Sequence, residues 1–509
     1  MATGILASRL AGLVRLRVFA HYFGLRSEAA DAFNAAFRIP NLLQNLFGEG
    51  ALSGSFIPVY AALVAQGDQR EADRVAGAVA SLLALTMAVF VALGVASAPW
   101  LVGAIAPGFT GEKRELAVVL VRVLFPGAGL LVLSAWCLGV LNSHRKFLLS
   151  YAAPVVWNAA MIVTLVTWGG RTPTARLAVM LAWGAVIGSA LQLAVQVPAV
   201  TRVAQLSATW DTTSERVRSV VRNFVPVLVG RGVVQISAYI DTMIASWLPT
   251  GAVTGLFNAQ MIYTLPVSLF GMSIAASELP AMAGAAATEP QASEAVRRRL
   301  NAALRQVAFL VVPSAAAFLA LGDTIAAALF ETGRFTAADT KLVWGILAGS
   351  AVGLLASTMG RVYASTSYAL QDSKTPLRCA MVRVLLATSL GYVGAMQLPR
   401  LLGVPEIWGA AGLTVSGSLA AWVEVILLRR ALIAKVGPTG LDLNYVLRLG
   451  IAALIASVGS MAIKRGLPPW HPVVSAICVL VPCGLGYLGL TVAAGVPEGT
   501  LLIRRWRRE

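Results

Sequence analysis

The chain contains 509 residues, of which 58% are hydrophobic and 12% are charged, and its mean hydropathy is +0.76. Soluble proteins are about half apolar and about a quarter charged, so this composition excludes an aqueous multidomain enzyme and predicts an integral membrane protein. Forty Lys and Arg residues against 23 Asp and Glu give a formal charge of +17. Part of this excess is expected in cytoplasmic loops.

Apolar runs bounded by polar, Gly or Pro clusters predict about fourteen helices that cross roughly 30 Å of hydrocarbon. They leave no stretch free for a soluble domain of ~100 residues. The predicted fold class is therefore an all-α polytopic membrane protein. The predicted spans are 3–24, 30–63, 75–105, 115–141, 148–168, 176–200, 219–248, 252–285, 302–330, 340–368, 376–397, 405–429, 445–464 and 472–494.

Cations in the loops, the tail and the helix ends are distributed unequally between the two sides of the membrane. One set of alternate loops and the C-terminal tail hold 22 of them, and the other set holds 10. By the positive-inside rule the richer side is cytoplasmic, so both termini are predicted to be cytoplasmic. No cleavable signal is predicted, because arginines interrupt the first apolar stretch and no small-residue cleavage site follows it.

Eight arginines remain, all within predicted helices, against five comparably placed acids. An arginine at membrane depth snorkels to an interface, pairs with an acid or faces a watery cavity. Because the acids are too few to neutralise all eight, the helices are predicted to enclose a net positive interior. The arginines are Arg9, Arg15, Arg17, Arg38, Arg122, Arg231, Arg361 and Arg383, and the acids are Asp31, Glu49, Asp241, Glu278 and Glu424.

A polar face runs along the second predicted helix. Arg38, Asn41, Asn45 and Glu49 follow a spacing of 3, 4 and 4 residues, which keeps them on one side of a helix. Lipid cannot satisfy such a face, so it must look into protein or water. Pro40 is expected to kink or loosen the helix, either to let a gate move or only to allow packing.

The first helix carries three arginines that cannot all face one point. Arg9 and Arg17 are about 80° apart, and Arg15 is about 120° to the other side of Arg9. We expect Arg9 and Arg15 to face the cavity and Arg17 to reach the outer interface. Guanidinium groups bind phosphate through two hydrogen bonds, so the substrate is predicted to be anionic and phosphorylated. A cavity for cationic drugs is expected to use acids and aromatic faces instead.

The chain also repeats itself. Phe33-Asn34-Ala35 recurs 224 positions later as Phe257-Asn258-Ala259, and Leu46-Phe47-Gly48 recurs as Leu269-Phe270-Gly271. These matches predict two halves of six helices, as in transporters built from repeats. The predicted domains are an N-lobe at 1–200, a C-lobe at 219–429 and two further helices at 445–494.

In the second half, Arg231 occupies a place roughly equivalent to that of Arg9. Asp241 follows it by ten residues, too far along a helix for direct pairing. Three roles stay open for Asp241: it ligates a coupling cation, accepts a proton or neutralises a neighbour such as Arg383. Glu278 and Glu424 have no evident partner in the sequence.

No catalytic pattern, metal site or disulfide framework is predicted. The four cysteines lie in apolar segments without paired spacing, and the histidines lie near helix ends or loops without the spacing of a metal site. Glycine-rich phosphate loops are absent from the sequence. The residues concerned are Cys137, Cys379, Cys478, Cys483, His21, His144 and His471.

Eight stretches of the chain carry a recognisable pattern, in order from the first helix to the start of the eleventh. They are Ser8 to Arg15, Asp31 to Phe33, Phe37 to Leu43, Phe47 to Ala51, Ala106 to Phe109, Gly139 to Ser143 with Phe147, Leu329 to Thr336 and Tyr368 to Pro376. Together they resemble the lipid II flippases of the MurJ (MviN) family, within the multidrug/oligosaccharidyl-lipid/polysaccharide exporter superfamily. The last helices match only in length and placement.

The resemblance implies two six-helix lobes around a cationic cavity, with the last two helices forming a groove for a lipid tail. It implies that a lipid-linked peptidoglycan precursor moves from the inner to the outer leaflet of the bacterial cytoplasmic (inner) membrane by alternating access. The positions that match the family's functional positions are Arg9, Arg15, Asp31, Arg38, Asn41 and Glu49. Arg231 is a further predicted substrate contact of this chain.

The chain departs from the family at three places. Gln44 stands where an arginine is common, and Met261 and Thr264 stand where the eighth helix commonly carries an arginine and an acid. These losses keep open the export of another lipid-linked oligosaccharide or of a soluble anion. A membrane glycosyltransferase is disfavoured because the loops are short and carry no carboxylate cluster, and a degenerate scaffold that transports nothing is a third alternative.

The sequence therefore predicts a lipid II flippase involved in cell-wall biogenesis, and not an enzyme. Its expected partners are an undecaprenyl diphosphate-linked sugar and membrane lipids, with cell-wall synthesis proteins as further candidates and no nucleic acid. No cofactor or metal is expected. Coupling to a monovalent cation or to the membrane potential is left open, with Asp241 and Arg383 as the candidate residues.

Overall fold

The protein is described here by a computed structural model that covers residues 2–205, 214–288, 292–468 and 470–506, apart from some side chains within these ranges. Every regular element in these ranges is helical, and one isolated bridge joins Thr332 and Phe335. The predicted all-helical fold class is confirmed.

The chain divides into two compact units, Met1–Thr254 with Thr332–Phe335, and Gly255–Glu331 with Thr336–Glu509. The first unit contains α1 Ala2–Phe23, α2 Glu28–Leu43, α3 Ser53–Gln66, α4 Gln69–Ala96, α5 Ala98–Ile105, α6 Gly111–Ser143, α7 Phe147–Trp168, α8 Thr174–Thr201, α9 Glu215–Ser246 and the first residues of α10 Ala252–Pro266.

The second unit contains the rest of α10 and all later helices. The later helices are α11 Ser273–Thr288, α12 Ala292–Phe330, α13 Ala337–Ala351, α14 Leu354–Ala369, α15 Lys374–Tyr392, α16 Leu398–Leu402, α17 Gly409–Val436, α18 Leu443–Gly466, α19 Pro472–Ala493 and α20 Pro497–Trp506.

Each of the fourteen predicted spans has a helical counterpart. In the described ranges nine helical stretches are long and apolar enough to cross a membrane, and α13 with α14, bent by 42°, forms a tenth. The other four counterparts are α1, α2 with α3, α7 and α9, each of which includes side chains outside the described residues. The α1 helix carries three arginines, Arg9, Arg15 and Arg17.

The boundary between the two units falls later than the predicted start of the C-lobe at residue 219. The reason is that α9 packs against α3, α4 and α5 within the first unit. The predicted lobe bounds, 1–200 and 219–429, describe the internal repeat and stay predictions. The packing groups α9 with the helices that precede it.

The helical geometry supports the internal repeat. Two π-helical segments, Gln44–Leu52 and Val267–Met272, coincide with the two Leu-Phe-Gly matches. Arg145 and Gln371, just after α6 and α14, both adopt a left-handed conformation, with φ of 59° and 58°. Since π-helical segments locally widen a helix and often occur at functional sites, the loosening expected near Pro40 lies at Gln44–Leu52.

The last two long helices pack on α12 within the second unit. The Tyr487 hydroxyl of α19 donates a hydrogen bond of 2.8 Å to the carbonyl of Phe309, and the Tyr445 hydroxyl of α18 donates one of 3.1 Å to the carbonyl of Arg305. Their outer faces carry large exposed apolar side chains such as Leu454. Such faces are suited to lipid, and the predicted tail groove at 445–494 stays a prediction.

A short loop segment, Thr332–Phe335, packs with the first unit although the helices on both sides of it belong to the second. The amide of Arg334 donates a hydrogen bond of 2.9 Å to the carbonyl of His21, and His21 Nδ1 lies 2.9 Å from Thr332 Oγ1. Gly333 has a φ of +55°, and a Cβ built there would lie 2.4 Å from the His21 carbonyl oxygen. Only glycine fits this close approach without a shift.

Candidate functional site

Arg15 lies on α1 with its guanidinium against aromatic rings of α2 and α7. The guanidinium carbon is 4.9 Å from the centroid of the Trp157 ring and 5.7 Å from that of Phe37. The two rings stack with centroids 5.8 Å apart and an interplanar angle of 18°. A cation is attracted to the faces of such rings, so they orient Arg15 without neutralising its charge.

Few of the hydrogen-bond donors of Arg15 are used by the protein. Its Nη1 atom donates to the sulfur of Met161 at 3.5 Å, and a thioether is a weak acceptor. Its Nε atom is buried and has no hydrogen-bond partner in the described part of the chain. A guanidinium has five N–H donors, so an oriented Arg15 retains the capacity to bind an oxyanion, as a phosphate ligand requires.

Arg38 is the second buried cation of the first unit. Only 9% of its surface is accessible. Its carbonyl accepts a hydrogen bond of 2.9 Å from the Tyr239 hydroxyl, and the carboxylate of Asp241 lies within electrostatic range of its guanidinium. A buried cation at membrane depth needs such a counter-charge, so Asp241 acts as a neighbour that stabilises the charge of Arg38.

Asp31 on α2 is 1% exposed and is surrounded by protein donors. Its Oδ2 accepts hydrogen bonds from Lys113 Nζ at 2.8 Å and from the Gly251 amide at 2.9 Å. Its Oδ1 accepts from the amide and the hydroxyl of Thr254 at 2.9 and 2.6 Å. Gly251 and Thr254 form the start of α10, so Asp31 caps the positive end of that helix from another part of the chain.

The other predicted ligands are placed only in part. Arg9 is exposed on α1, and Asn41 is half-buried on α2. The side chains of Glu49 and Arg231 lie outside the described residues. Substrate binding by these residues, and by Asp31, therefore stays a prediction.

Two acids that had no evident partner in the sequence are paired within the second unit. Arg383 Nη1 lies 2.9 Å from Glu424 Oε2, and Arg299 Nη1 lies 3.5 Å from Glu278 Oε2. Arg383 is thus paired with Glu424 on α17, and Asp241 lies within electrostatic range of Arg38 on α2. Coupling of transport through Asp241 or Arg383 is tested by neither contact and stays a prediction.

Sequence reasoning missed three residues around these charges: Trp157, Tyr239 and Lys113. Trp157 and Tyr239 were missed because aromatic residues are common in membrane helices and nothing in their spacing relates them to Arg15 or Arg38. Lys113 was treated as a loop cation, yet its side chain is 11% exposed and is paired with Asp31. Lys113 lies in the first turn of α6, and only the tertiary structure shows that this turn lies beside α2.

The described ranges contain no group of three or more His, Cys, Asp or Glu side chains that could hold a metal ion.

The fold and the buried cations define a polytopic, all-helical membrane transporter suited to an anionic substrate. The family model described as Lipid II flippase MurJ matches residues 19–481. The chain belongs to the MurJ family. It is 34% identical to the lipid II flippase MurJ of Burkholderia cenocepacia over 83% of this chain and 80% of that protein, and 32% identical to the probable lipid II flippase MurJ of Bdellovibrio bacteriovorus over 90% and 85%.

Solved structures show the same fold. A lipid II flippase MurJ in an inward closed conformation superposes with a TM-score of 0.77 at 22% identity, covering 96% of this chain and 97% of that one. A multidrug resistance MATE family transporter of the MOP superfamily in an inward-facing conformation superposes with a TM-score of 0.68 at 18% identity, covering 83% and 95%. The predicted family is confirmed.

Proposed function

We propose that this protein is a flippase that translocates lipid II, an undecaprenyl diphosphate-linked peptidoglycan precursor, from the inner to the outer leaflet by alternating access. The observation that carries the proposal is Arg15, whose charge is held by Phe37 and Trp157 while its Nε has no partner in the described ranges. A diphosphate supplies the acceptors that this guanidinium lacks. Membership of the MurJ family supports the same substrate.

In this mechanism the protein binds and reorients its substrate without covalent change. Arg9, Arg15, Arg38 and Arg231 bind the diphosphate, and Asn41 and Glu49 are further predicted substrate contacts, while the polyprenyl tail stays in lipid. Translocation breaks no covalent bond of the substrate, so this mechanism requires no cofactor. Membrane lipids surround the chain, and cell-wall synthesis proteins are candidate partners.

The direct test measures flipping of lipid II by the purified protein in proteoliposomes, with complementation of a strain depleted of its own lipid II flippase. We expect both to be positive for the wild-type chain. Parallel vesicles containing undecaprenyl diphosphate with a different sugar, or a soluble anion, test the alternative raised by Gln44, Met261 and Thr264. Transport of only the alternative cargo would overturn the assignment to lipid II.

We further propose that both termini are cytoplasmic and that the membrane potential or a monovalent cation drives the cycle. The excess of loop and tail cations on one side supports the orientation. Reporter fusions at the C-terminus test it, and flipping measured with an imposed potential or with Na⁺ and K⁺ exchanged tests the coupling. A rate that is independent of potential and of both cations would exclude the second part of this proposal.

A further inference from the structure

The second unit contains a cluster of charges that the proposed diphosphate site does not use. It comprises Tyr263 on α10, Arg361 on α14, Arg383 on α15 and Glu424 on α17. Arg383 donates to Glu424 at 2.9 Å, and Arg361 lies within electrostatic range of Arg383, Glu424 and Tyr263. Four helices thus bring two guanidinium groups, one carboxylate and one phenol together.

The cluster lies within the membrane-spanning helices of the second unit. The ends of α14, α15 and α17 meet at Asp372, which precedes α15 and pairs with Lys435 in the last turn of α17. Counted at 1.5 Å per residue from the ends of the predicted spans at 368, 376 and 429, Arg361, Arg383 and Glu424 lie about 7–11 Å inside. Since the hydrocarbon layer is about 30 Å thick, the charges lie within it, where ionisable groups are costly and mark functional sites.

The cluster has one cation more than its carboxylate can neutralise. Glu424 is bonded to Arg383, whereas Arg361 forms no hydrogen bond or ion pair of its own with any residue in the described ranges. Most of α14 is buried, and its accessible stripe consists of Arg361, Ala364, Ser365 and Tyr368. A stripe that carries a charge, a hydroxyl and a phenol is suited to water rather than lipid.

We propose that Arg361, Arg383 and Tyr263 form an oxyanion-binding site in the second unit, which takes a phosphate or carboxylate group of the transported precursor. Guanidinium groups bind either oxyanion through two hydrogen bonds, and the phenol adds a donor. Glu424 orients Arg383 and limits the positive charge of the empty site, so that the anion can leave again. The inference rests on the proposed function for the identity of its ligand, but not for the existence of the site.

The test measures binding of two soluble probes to the full-length protein in nanodiscs, by isothermal titration calorimetry. Inorganic diphosphate represents the lipid-linked phosphates, and a muramyl peptide without phosphate represents the carboxylates of the head group. We expect Arg361→Gln and Arg383→Gln to weaken binding of at least one probe roughly ten- to a hundredfold, because each removes a charge-assisted interaction. The probe that is affected identifies the source of the oxyanion.

Glu424→Gln separates an oxyanion site from a purely structural ion pair. In a binding site, this change removes the competing carboxylate and tightens binding of the same probe. In a structural pair, it lowers the melting temperature and leaves the affinity unchanged. Arg400→Gln, which breaks an exposed ion pair with Glu406 on the same unit, is the matched control and is expected to change neither quantity.

If Arg383→Gln does not fold, Arg361→Gln decides the matter, because Arg361 has no ion pair to lose. Unchanged affinity of Arg361→Gln for both probes would overturn the proposal. Failure of the wild-type chain to flip lipid II would instead overturn the proposed function, and probe binding that depends on Arg361 would still establish the oxyanion site. The two failures are therefore distinguishable.

Discussion

The ammonium group of Lys113 lies 2.8 Å from the carboxylate of Asp31, and their side chains are only 11% and 1% exposed. The pair joins the first turn of α6 to α2, and the same carboxylate caps α10 through Gly251 and Thr254. Three separate stretches of the first unit therefore converge on one carboxylate. An acid that the family resemblance assigns to substrate binding has a structural role here.

Removing Asp31 is expected to destabilise the protein strongly. Asp31→Ala leaves the buried ammonium of Lys113 and the N–H groups of α10 without their acceptor, and breaking one partner of a buried pair costs about 3–5 kcal/mol. Thermal unfolding of the purified protein measures the loss. The control is Arg400→Ala, whose exposed pair with Glu406 contributes at most about 1 kcal/mol; equal losses for the two variants would contradict a structural role for Asp31.

Arg15→Ala is expected to abolish lipid II flipping while the protein stays folded. The change removes the guanidinium that Phe37 and Trp157 hold, and it breaks only a weak bond to Met161. Arg15→Lys keeps the charge but cannot form two parallel bonds to phosphate, so we expect flipping about tenfold slower than the wild type. Arg122→Ala, at an exposed position on α6, is the control, and wild-type flipping by Arg15→Ala would exclude Arg15 from the site.

Gly333→Ala is expected to loosen the loop segment Thr332–Phe335 from α1. A Cβ at Gly333 would lie 2.4 Å from the carbonyl oxygen of His21, whereas one at Gly403 would have nothing within 4 Å. The two glycines have similar φ values, +55° and +66°, so both alanine variants carry the left-handed penalty of about 1–2 kcal/mol. Gly333→Ala adds a steric overlap that costs about 1–3 kcal/mol. An equal fall in melting temperature for Gly333→Ala and Gly403→Ala would show that the loop accommodates the added methyl group without loss of stability.

Acid is expected to weaken the junction at the start of α15. The bond from Lys435 holds the pKa of Asp372 below its usual range, and the amide of Thr375 adds to this effect. A lowered pKa in the folded state contributes stability that is present above the unfolded pKa of about 3.9 and is lost as the pH falls from that value through the lowered pKa. Melting temperatures measured from neutral pH down through this acidic range test the prediction.

Asp372→Asn is expected to reduce the loss of stability in acid, because asparagine keeps the cap of α15 but carries no charge to protonate. Lys435→Gln removes the same pair from the other side and is expected to reduce the loss as well. If both variants kept the acid sensitivity of the wild type, the pair would make no contribution to it.

The sequence predicted the fold well because membrane helices are specified by local hydropathy. The internal repeat was also predictable from the sequence, and the two Leu-Phe-Gly matches lie in two π-helical segments of the structure. The partners of the charges were harder to predict. Lys113 reaches Asp31, and Glu424 reaches Arg383, across long separations in the chain, and no periodicity within one helix encodes such pairs.

The aromatic support of Arg15 was missed for a related reason. Arginine on a helix indicates charge at membrane depth, but whether it meets an acid, water or a ring depends on the neighbouring helix. Trp157 lies on α7, far along the chain from α1. Hydropathy and spacing therefore located the cations of the candidate site but not the groups that orient them.

The loop segment Thr332–Phe335 has a consequence for biosynthesis. Because these residues pack with Met1–Thr254, the first unit is still incomplete when Thr254 leaves the ribosome. It acquires its last contacts on His21 only after α10, α11 and α12 have been made. A gene split between Thr254 and Gly255 would therefore yield an N-terminal product that lacks part of its own packing.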